Sequence, residues 1–360
     1  MKNDKYLWSK ISEIYSRLSD EKSKKIFIKR LEYSLDNSNA EPLAEMIADE
    51  VDEPYRTVLT LIQRRNEYKD RPVILFGAGR WGGFYYNLVT NYKIGKMLAF
   101  CDNNKALQGT MKAGLPIWSV EEAVKQENAI FVITSTLYRN SMKKQLLECG
   151  IDEERIFLYT YTTKVFGIQY FDETIFRHKE GAFIDGGCLN LMDTVKYMEF
   201  DPMWEKVYAF EPDRGNWEKC CEKAKEIPGI QDRVTVVNKG LWSEETELSF
   251  ASNLGSSTIS ENGSETIQTI DLDTFMKDKG KVGFLKMDIE GAEMEALIGA
   301  KETIKRDKPN LAICLYHKNE DILEIPAYIL ELNSNYKFYI RHYSCYNWET
   351  VLYAVDDSRT

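Results

Sequence analysis

One stretch of the chain changes its apolar period within a few residues, and this change constrains the fold strongly. In Val282–Glu293, which reads VGFLKMDIEGAE, apolar and charged side chains alternate from Leu285 to Glu290 as they do along a β-strand. The apolar spacing then becomes helical up to Ile304, and Pro309 marks the expected end of that helix. A strand that runs directly into a helix is typical of an α/β protein.

Three charged side chains, Lys286, Asp288 and Glu290, fall on one face at the end of this predicted strand. Helices normally cover both faces of an α/β sheet, and ligands bind beyond the carboxyl ends of its strands. We therefore interpret Asp288 and Glu290 as part of a site, with Lys286 paired to these acids. Glu293 equally suits the positive end of the helix dipole.

An earlier region, residues 72–158, repeats short apolar strands followed by helices. Its first strand leads into the G-x-G-x-x-G turn of Gly77, Gly79 and Gly82, and Asp102 follows a second strand about 20 residues later. This fingerprint predicts a nucleotide site at these four residues. The unit has roughly half the strands of a dinucleotide-binding domain. An equal alternative is therefore that the glycines bind no nucleotide and serve only tight packing of the strand against the helix.

A third region also has predicted strands that end in polar turns, but the turn sequences differ from G-x-G-x-x-G. One strand ends at Asp185-Gly186-Gly187 and the next at Glu211-Pro212-Asp213. The glycines allow backbone amides to approach a charged ligand, and a carboxylate on the neighbouring strand accepts hydrogen bonds from ribose hydroxyls. A D-x-G turn suits a nucleoside cofactor without a pyrophosphate, and S-adenosylmethionine is the natural candidate. The predicted cofactor-binding residues are Asp185, Gly186, Gly187, Glu211, Pro212, Asp213, Asn238 and Asp288.

Residues 181–355 resemble the FkbM family of S-adenosylmethionine-dependent methyltransferases. The motifs that carry the resemblance are Phe183–Gly187, Ala209–Asp213, Ile270–Asp273, Lys286–Glu293, Lys308–Asn310 and Tyr316–Lys318. The resemblance implies a seven-stranded methyltransferase sheet with an antiparallel final strand. It also implies O-methylation of sugars, of other secreted-polymer precursors or of natural-product precursors. The loop Cys188–Asp193 departs from the family's usual first loop, which has another glycine or an acid after its Asp-x-Gly start.

The predicted fold class is α/β, with two Rossmann-like doubly wound sheets, the second a class I methyltransferase fold, behind a helical segment. The expected divisions are a helical extension at 1–69, a Rossmann-like nucleotide-binding-like domain at 70–160 and a methyltransferase domain at 161–360. The middle domain resembles domains associated with nucleotide-sugars in polysaccharide-biosynthesis enzymes. The first helices carry no obvious chemistry and are predicted to pack or to form a homo-oligomer.

Charge and hydropathy narrow the class of partner. The net charge of -10 and the pI near 5.2 argue against a protein that binds nucleic acid or anionic lipid. No apolar run has the length of a signal peptide core or a membrane span. The sequence therefore predicts a cytoplasmic protein that is not inserted in a membrane and acts on a small molecule or a glycan.

A methyl transfer to oxygen requires the acceptor hydroxyl in line with the sulfonium methyl, and a base that takes its proton. His317, at the polar end of the strand that follows, is the predicted base. Asp288 and Glu290 are predicted to orient that base or to bind the acceptor, and Lys286 completes the predicted catalytic set. No metal is expected; the alternative is a Mg²⁺ or Mn²⁺ site formed by Asp288, Glu290 and His317.

Two rival functions stay open at this point. One is an NAD(P)-dependent oxidoreductase that uses Gly77 to Asp102, although no Tyr-x-x-x-Lys set follows that fingerprint. The other is a non-catalytic nucleotide-sugar-binding scaffold in which the methyltransferase half has lost its activity. The glycine-poor loop after Asp185 is the observation that suggests it.

Overall fold

A computed structural model describes residues 2–50, 58–135, 137–158, 166–227, 229–230, 232–251, 258–259 and 265–357. Thr136, which follows an apolar run that predicts a strand, and residues 253–257, which belong to a polar stretch that predicts a loop, lie outside the described residues. Among the described helices, none combines the length and the apolar character that a membrane crossing requires.

The described chain alternates helices and strands in the following order. The helices are α1 Lys2–Arg17, α2 Glu21–Leu35, α3 Glu41–Met46, α4 Val58–Gln63, α5 Arg65–Tyr68, α6 Arg80–Asn91, α7 Val120–Ala123, α8 Arg139–Glu148, α9 Met192–Phe200, α10 Arg214–Glu226, α11 Leu272–Met276, α12 Glu293–Ile298, α13 Lys301–Asp307 and α14 Asp321–Leu332. The strands are β1 Pro72–Phe76, β2 Lys96–Cys101, β3 Met111–Lys112, β4 Leu115–Trp118, β5 Ile130–Ile133, β6 Ile156–Leu158, β7 Ala182–Gly186, β8 Val207–Phe210, β9 Val234–Val237, β10 Gly240–Leu241, β11 Glu247–Ala251, β12 Thr258–Ile259, β13 Glu265–Ile270, β14 Val282–Met287, β15 Asn310–Cys314, β16 Tyr336–His342 and β17 Thr350–Asp356.

These elements form two compact units. One unit comprises residues 1–31, 168–342 and 348–360, and the other comprises residues 32–167 and 343–347. Helix α1 and most of α2 therefore belong to the unit that contains the C-terminal strands. The predicted divisions at residues 69 and 160, and a role of the first helices in oligomerisation, stay predictions.

The unit of residues 32–167 and 343–347 contains a six-stranded sheet in the order β3-β4-β2-β1-β5-β6. All neighbouring strands are parallel except β3 and β4. Apolar side chains from β1, β5 and α8, among them Phe76, Phe131 and Leu146, form a core with little or no exposure to solvent. Strands buried on both faces explain why the sequence shows continuous apolar runs here.

The other unit contains a seven-stranded sheet in the order β16-β17-β15-β14-β7-β8-β9. Strands β15, β14, β7, β8 and β9 are parallel, and β17 is antiparallel to both of its neighbours. The predicted α/β class and the antiparallel final strand are thus confirmed. A four-stranded sheet, β10-β13-β11-β12, lies in the same part of the chain.

Two details around Val282–Ile304 differ from the predictions. Strand β14 is buried at every position and ends at Met287, so the alternation expected up to Glu290 does not continue; Glu290 has a left-handed φ of 56°. The single helix expected up to Ile304 is two helices, α12 and α13, separated at Gly299. A Cβ on Gly299 would lie 2.0 Å from the Trp242 carbonyl oxygen, so this glycine permits a close backbone approach, and glycine is a weak helix former.

The three glycines of the G-x-G-x-x-G turn have different surroundings. A Cβ on Gly82 would lie 2.2 Å from the Gly77 carbonyl oxygen, whereas a Cβ on Gly79 would meet nothing within 4 Å. Gly77 has a φ of 115° and lies against Thr134. Gly82 and Gly77 are therefore required by packing and backbone conformation, and Gly79 is not.

We expect Gly82→Ala to destabilise the unit that holds the six-stranded sheet by roughly 1–3 kcal/mol or more, because the added methyl group overlaps backbone that cannot move away. Gly79→Ala is the matched control and should change the unfolding free energy by less than about 0.5 kcal/mol. Urea unfolding followed by circular dichroism measures both. Equal destabilisation by the two variants would contradict the assignment.

Candidate active site

The carboxyl ends of four neighbouring parallel strands, β15, β14, β7 and β8, meet at one edge of the seven-stranded sheet. A cavity of about 250 Å³ opens at this edge. Its apolar wall includes Phe210, Leu241, Ile267 and Ile289. Its polar groups come from the loops after the strands, so the cavity has the mixed lining of a small-molecule site.

A buried ion pair joins the ends of β7 and β14, next to the cavity-lining Gly187. Asp185 and Lys286 are register partners on β7 and β14, with 0% and 1% exposed side chains, and Lys286 Nζ lies 3.1 Å from Asp185 Oδ1. Asp185 Oδ2 accepts a hydrogen bond from the Thr194 hydroxyl at 2.7 Å. Lys286 also lies 3.4 Å from Asp193. The partners of Lys286 are therefore Asp185 and Asp193 rather than the predicted Asp288 and Glu290.

Lys286 remains charged in this setting. Burial alone would lower its pKa, but the carboxylates of Asp185, Asp193 and Asp288 raise the pKa above its usual value. Its ammonium group also donates to the carbonyl oxygens of Gly186 and Gly187, at 3.3 and 3.0 Å. The lysine thus fixes the start of the loop after β7, residues 187–191, which we call the first loop.

The first loop approaches the loop after β14 closely. Gly187 has a φ of 75°, and a Cβ there would lie 2.0 Å from the Asp288 carbonyl oxygen. Gly187 lines the cavity and Gly186 lies beside Leu241. Gly187 is therefore required by the contact between the loops, which also leaves backbone open to a ligand.

Glu211 follows β8 and lines the same cavity. Its Oε2 accepts from the Leu189 N–H and its Oε1 from the Asp213 N–H, each at 3.0 Å. Burial raises the pKa of Glu211 to about 7, although these two backbone hydrogen bonds oppose the shift. The carboxyl group is therefore held in one orientation at the cavity wall.

The other predicted cofactor residues near Glu211 have supporting positions. Pro212 lines the cavity, Asp213 caps α10 through the Asn216 N–H, and Asn238 donates to the carbonyl oxygens of Glu211 and Pro212. Asp213 and Asn238 thus hold the loop that carries Glu211.

Asp288 connects the two sides of the cavity. Its Oδ2 accepts from the Tyr170 hydroxyl at 2.9 Å, and its Oδ1 accepts from the Tyr316 hydroxyl at 2.8 Å. Burial would raise its pKa, but Lys286, His317 and the two tyrosines lower the pKa below its usual value. Asp288 is therefore ionised and oriented.

His317 lies behind Asp288 and is surrounded by acids. Its Nδ1 is 2.9 Å from Glu293, and its Nε2 is 3.6 Å from Asp288 and 3.5 Å from Glu290. Burial would lower its pKa, but these three carboxylates raise the pKa to about 9. The cavity wall includes Asp288 and Glu290 but not His317. A basic role of His317 stays a prediction, which these surroundings do not favour.

A further acid, Glu349, lines the cavity opposite the first loop and was not predicted. Its Oε2 accepts a hydrogen bond from Gln169 Nε2 at 2.6 Å. Burial and the charge of Asp288 raise the pKa of Glu349 to about 7. A carboxyl group with this pKa is suited to accept a proton near neutral pH.

Four contributors to the site were missed by the sequence reasoning. They are Glu349, Tyr170, Tyr316 as a partner of Asp288, and Glu293 as a partner of His317. Glu349 immediately precedes the antiparallel β17, whose start must lie at the edge where the parallel strands end, so the predicted topology contained its signal. Tyr170 lies outside the regular elements and carries no comparable signal.

The other predicted site lies in the unit with the six-stranded sheet. Asp102 accepts from the N–H groups of Ala78 and Asn104, at 2.7 and 2.8 Å, so its carboxylate fixes the glycine turn and its own loop. Lys112 donates to the Gly79 carbonyl oxygen. A nucleotide site at Gly77, Gly79, Gly82 and Asp102 stays a prediction.

Residues 192–338 match the family model described as the methyltransferase FkbM domain. Residues 69–157 match a second model, described as C2185-like, N-terminal. No curated protein matches the chain.

The fold resembles that of a solved methyltransferase structure. The FkbM methyltransferase of Methylobacillus flagellatus is 19% identical, with a TM-score of 0.53, and the match covers 90% of this chain and 100% of that one. Fibrillarin of Aeropyrum pernix, solved with natively bound S-adenosyl-L-methionine, is 9% identical over 50% of this chain and 67% of its own, with a TM-score of 0.31.

We expect Lys286→Met to destabilise the protein by about 3–5 kcal/mol, because it leaves the buried Asp185 carboxyl group without its ionic partner. Lys281→Met is the control: Lys281 is exposed on the same segment, 4.0 Å from Glu180, and its loss should cost less than about 0.5 kcal/mol. Adding Asp185→Asn to Lys286→Met should recover part of the loss. Urea unfolding in which Lys286→Met equals the control would refute this role.

Proposed function

We propose that the cavity at the carboxyl edge of the seven-stranded sheet transfers the methyl group of S-adenosylmethionine to a hydroxyl oxygen. The premise is the match of residues 192–338 to the methyltransferase FkbM domain. The acceptor we propose is a sugar, or a glycoconjugate or natural-product precursor. The observation that supports the proposal most is one cavity that joins Gly187 and Glu211 on one side to Asp288, Glu290 and Glu349 on the other.

The donor end is proposed to lie against the first loop and Glu211. Each Glu211 oxygen already accepts one backbone N–H and has a lone pair left for a ribose hydroxyl. The apolar wall of Leu241, Ile267 and Ile289 suits an adenine ring. Lys286 and Asp185 support this end by fixing the first loop, without reaching the cavity themselves.

The acceptor end is proposed to lie among Asp288, Glu290 and Glu349. Asp288 has each oxygen bound by a tyrosine hydroxyl and a lowered pKa, which makes it a poor proton acceptor but a good hydrogen-bond acceptor for a sugar hydroxyl. Glu349 is bound through one oxygen by Gln169 and has a pKa near 7. We therefore assign proton removal to Glu349 and acceptor binding to Asp288 and Glu290.

The direct test is incubation of the purified protein with methyl-labelled S-adenosylmethionine and separate panels of free sugars, nucleotide-sugars, amines and thiols. The proposal predicts label on oxygen of at least one hydroxyl acceptor, located by mass spectrometry. Label that appears only on nitrogen or sulfur would contradict the assignment of the acceptor class.

Glu211→Gln should weaken binding of S-adenosylhomocysteine about tenfold or more, because a charged acceptor for the ribose hydroxyls is lost. In the wild type the affinity should fall as the pH drops below about 7, since the ionised carboxylate is the better acceptor and the pKa of Glu211 is about 7. Glu218→Gln, on the exposed side of α10, is the matched control. Equal affinities of the two variants in equilibrium dialysis would remove Glu211 from the site.

Glu349→Gln should lower kcat about 100-fold or more at saturating cofactor, with little change in cofactor affinity. Because the base acts when ionised, wild-type kcat should fall as the pH decreases through about 7, the pKa of Glu349, and the variant should lose this limb. Initial rates between pH 5.5 and 9 provide the measurement. A variant that keeps the wild-type pH profile would exclude Glu349 as the base.

A further inference from the structure

Four side chains next to the proposed acceptor end carry more negative charge than one protonated histidine can balance. This histidine cluster consists of His317, Asp288, Glu290 and Glu293, with nitrogen-to-oxygen distances of 2.9 to 3.6 Å around the imidazole. Lys286 makes its contacts with Asp185 and Asp193, and its charge acts on Asp288 only at longer range. Three carboxylates around one imidazole leave a negative charge even when the ring is protonated.

Several polar atoms of the histidine cluster lack a hydrogen-bond partner in the described part of the chain. They are Oε2 of Glu293 and both ring nitrogens of His317; Nδ1 lies 2.9 Å from Glu293 Oε1, but its N–H is not aligned with that oxygen. The side chains of Glu293 and His317 are 1% and 9% exposed, so water compensates them poorly. Burying such groups without partners is costly, and each instance in a folded protein requires an explanation.

The carboxylates of the cluster are held as metal ligands usually are. Tyr170 and Tyr316 donate to the two oxygens of Asp288, and the Ile289 N–H donates to Glu293 Oε1 at 2.9 Å. In metal sites a second layer of donors orients the coordinating carboxylates in this way. The imidazole, in contrast, lies close to these carboxylates without an aligned hydrogen bond from either nitrogen.

We propose that Asp288, Glu293 and His317 bind a divalent cation of the Mn²⁺, Fe²⁺ or Zn²⁺ class. One ligand atom from each of the three residues lies within 4.8 Å of the other two. Two carboxylates and an imidazole suit these ions better than Ca²⁺ or Mg²⁺, which prefer oxygen alone. The set differs from the sequence-based alternative, because the buried Glu293 replaces the cavity-lining Glu290.

Asp288 connects the cation site to the cavity, since its carboxylate belongs to both. A cation there would neutralise the acids and offer an open position to an acceptor oxygen. This role in acceptor binding rests on the proposed function, whereas the cation site itself does not.

The test is a titration of the full-length protein with Mn²⁺ alone, followed by electron paramagnetic resonance, without cofactor or acceptor. One site per chain is expected, with nitrogen coupling from an imidazole in the pulsed spectrum of the wild type. Glu293→Gln should weaken Mn²⁺ binding at least about tenfold, and His317→Gln should remove the nitrogen coupling. Glu295→Gln, on the same helix, is the control and should bind as the wild type does.

Absence of Mn²⁺ binding at millimolar concentration, or binding without nitrogen coupling, would overturn the proposal. Equal affinity of Glu293→Gln and Glu295→Gln would overturn it as well, once circular dichroism shows both variants folded. Mn²⁺ binding with nitrogen coupling in a protein that methylates no hydroxyl would uphold the cation site and refute the proposed function, so the two failures are distinguishable.

Discussion

The buried pair of Lys286 and Asp185 is the interaction on which the site depends. Lys286 crosses from β14 to the end of β7, and its ammonium group binds the Asp185 carboxylate and two carbonyl oxygens of the first loop. This arrangement fixes the loop against the turn that carries Asp288, where Gly187 permits backbone contact. The two halves of the cavity are thus set by one lysine that does not reach the cavity itself.

The sequence predicts the parts of the fold that local patterns determine. Short apolar runs such as Phe183–Gly186 and Val207–Phe210 correspond to buried strands, because both faces of a parallel sheet are covered. Acids directly after these runs lie together at one edge, since parallel strands end on the same side. Glu211 and Asp288 therefore line the cavity as the strand ends predict, although their roles remain proposals.

Pairing between side chains could not be predicted in the same way. Lys286 looked like a partner of Asp288, two residues away, but the register of β14 with β7 sets it opposite Asp185. The sequence suggested that Glu293 only complements the dipole of the helix that it begins. In the structure it lies 2.9 Å from His317, which follows strand β15. Such contacts depend on which strands are neighbours and on the turn at Glu290, which ends the alternation.

The surroundings of His317 and Glu349 suit two different tasks, the binding of a proton or cation and the transfer of a proton. The sequence-based prediction assigned both tasks to His317. A histidine surrounded by Asp288, Glu290 and Glu293 holds its proton or exchanges it for a cation, whereas Glu349, which binds Gln169 at the cavity wall, can release and accept one near neutral pH. Calorimetric titration of the wild-type protein with S-adenosylhomocysteine and, separately, with NAD tests the account most directly. Saturable binding of S-adenosylhomocysteine at one site per chain is the predicted result, and tight binding of NAD with no response to S-adenosylhomocysteine or S-adenosylmethionine would contradict it.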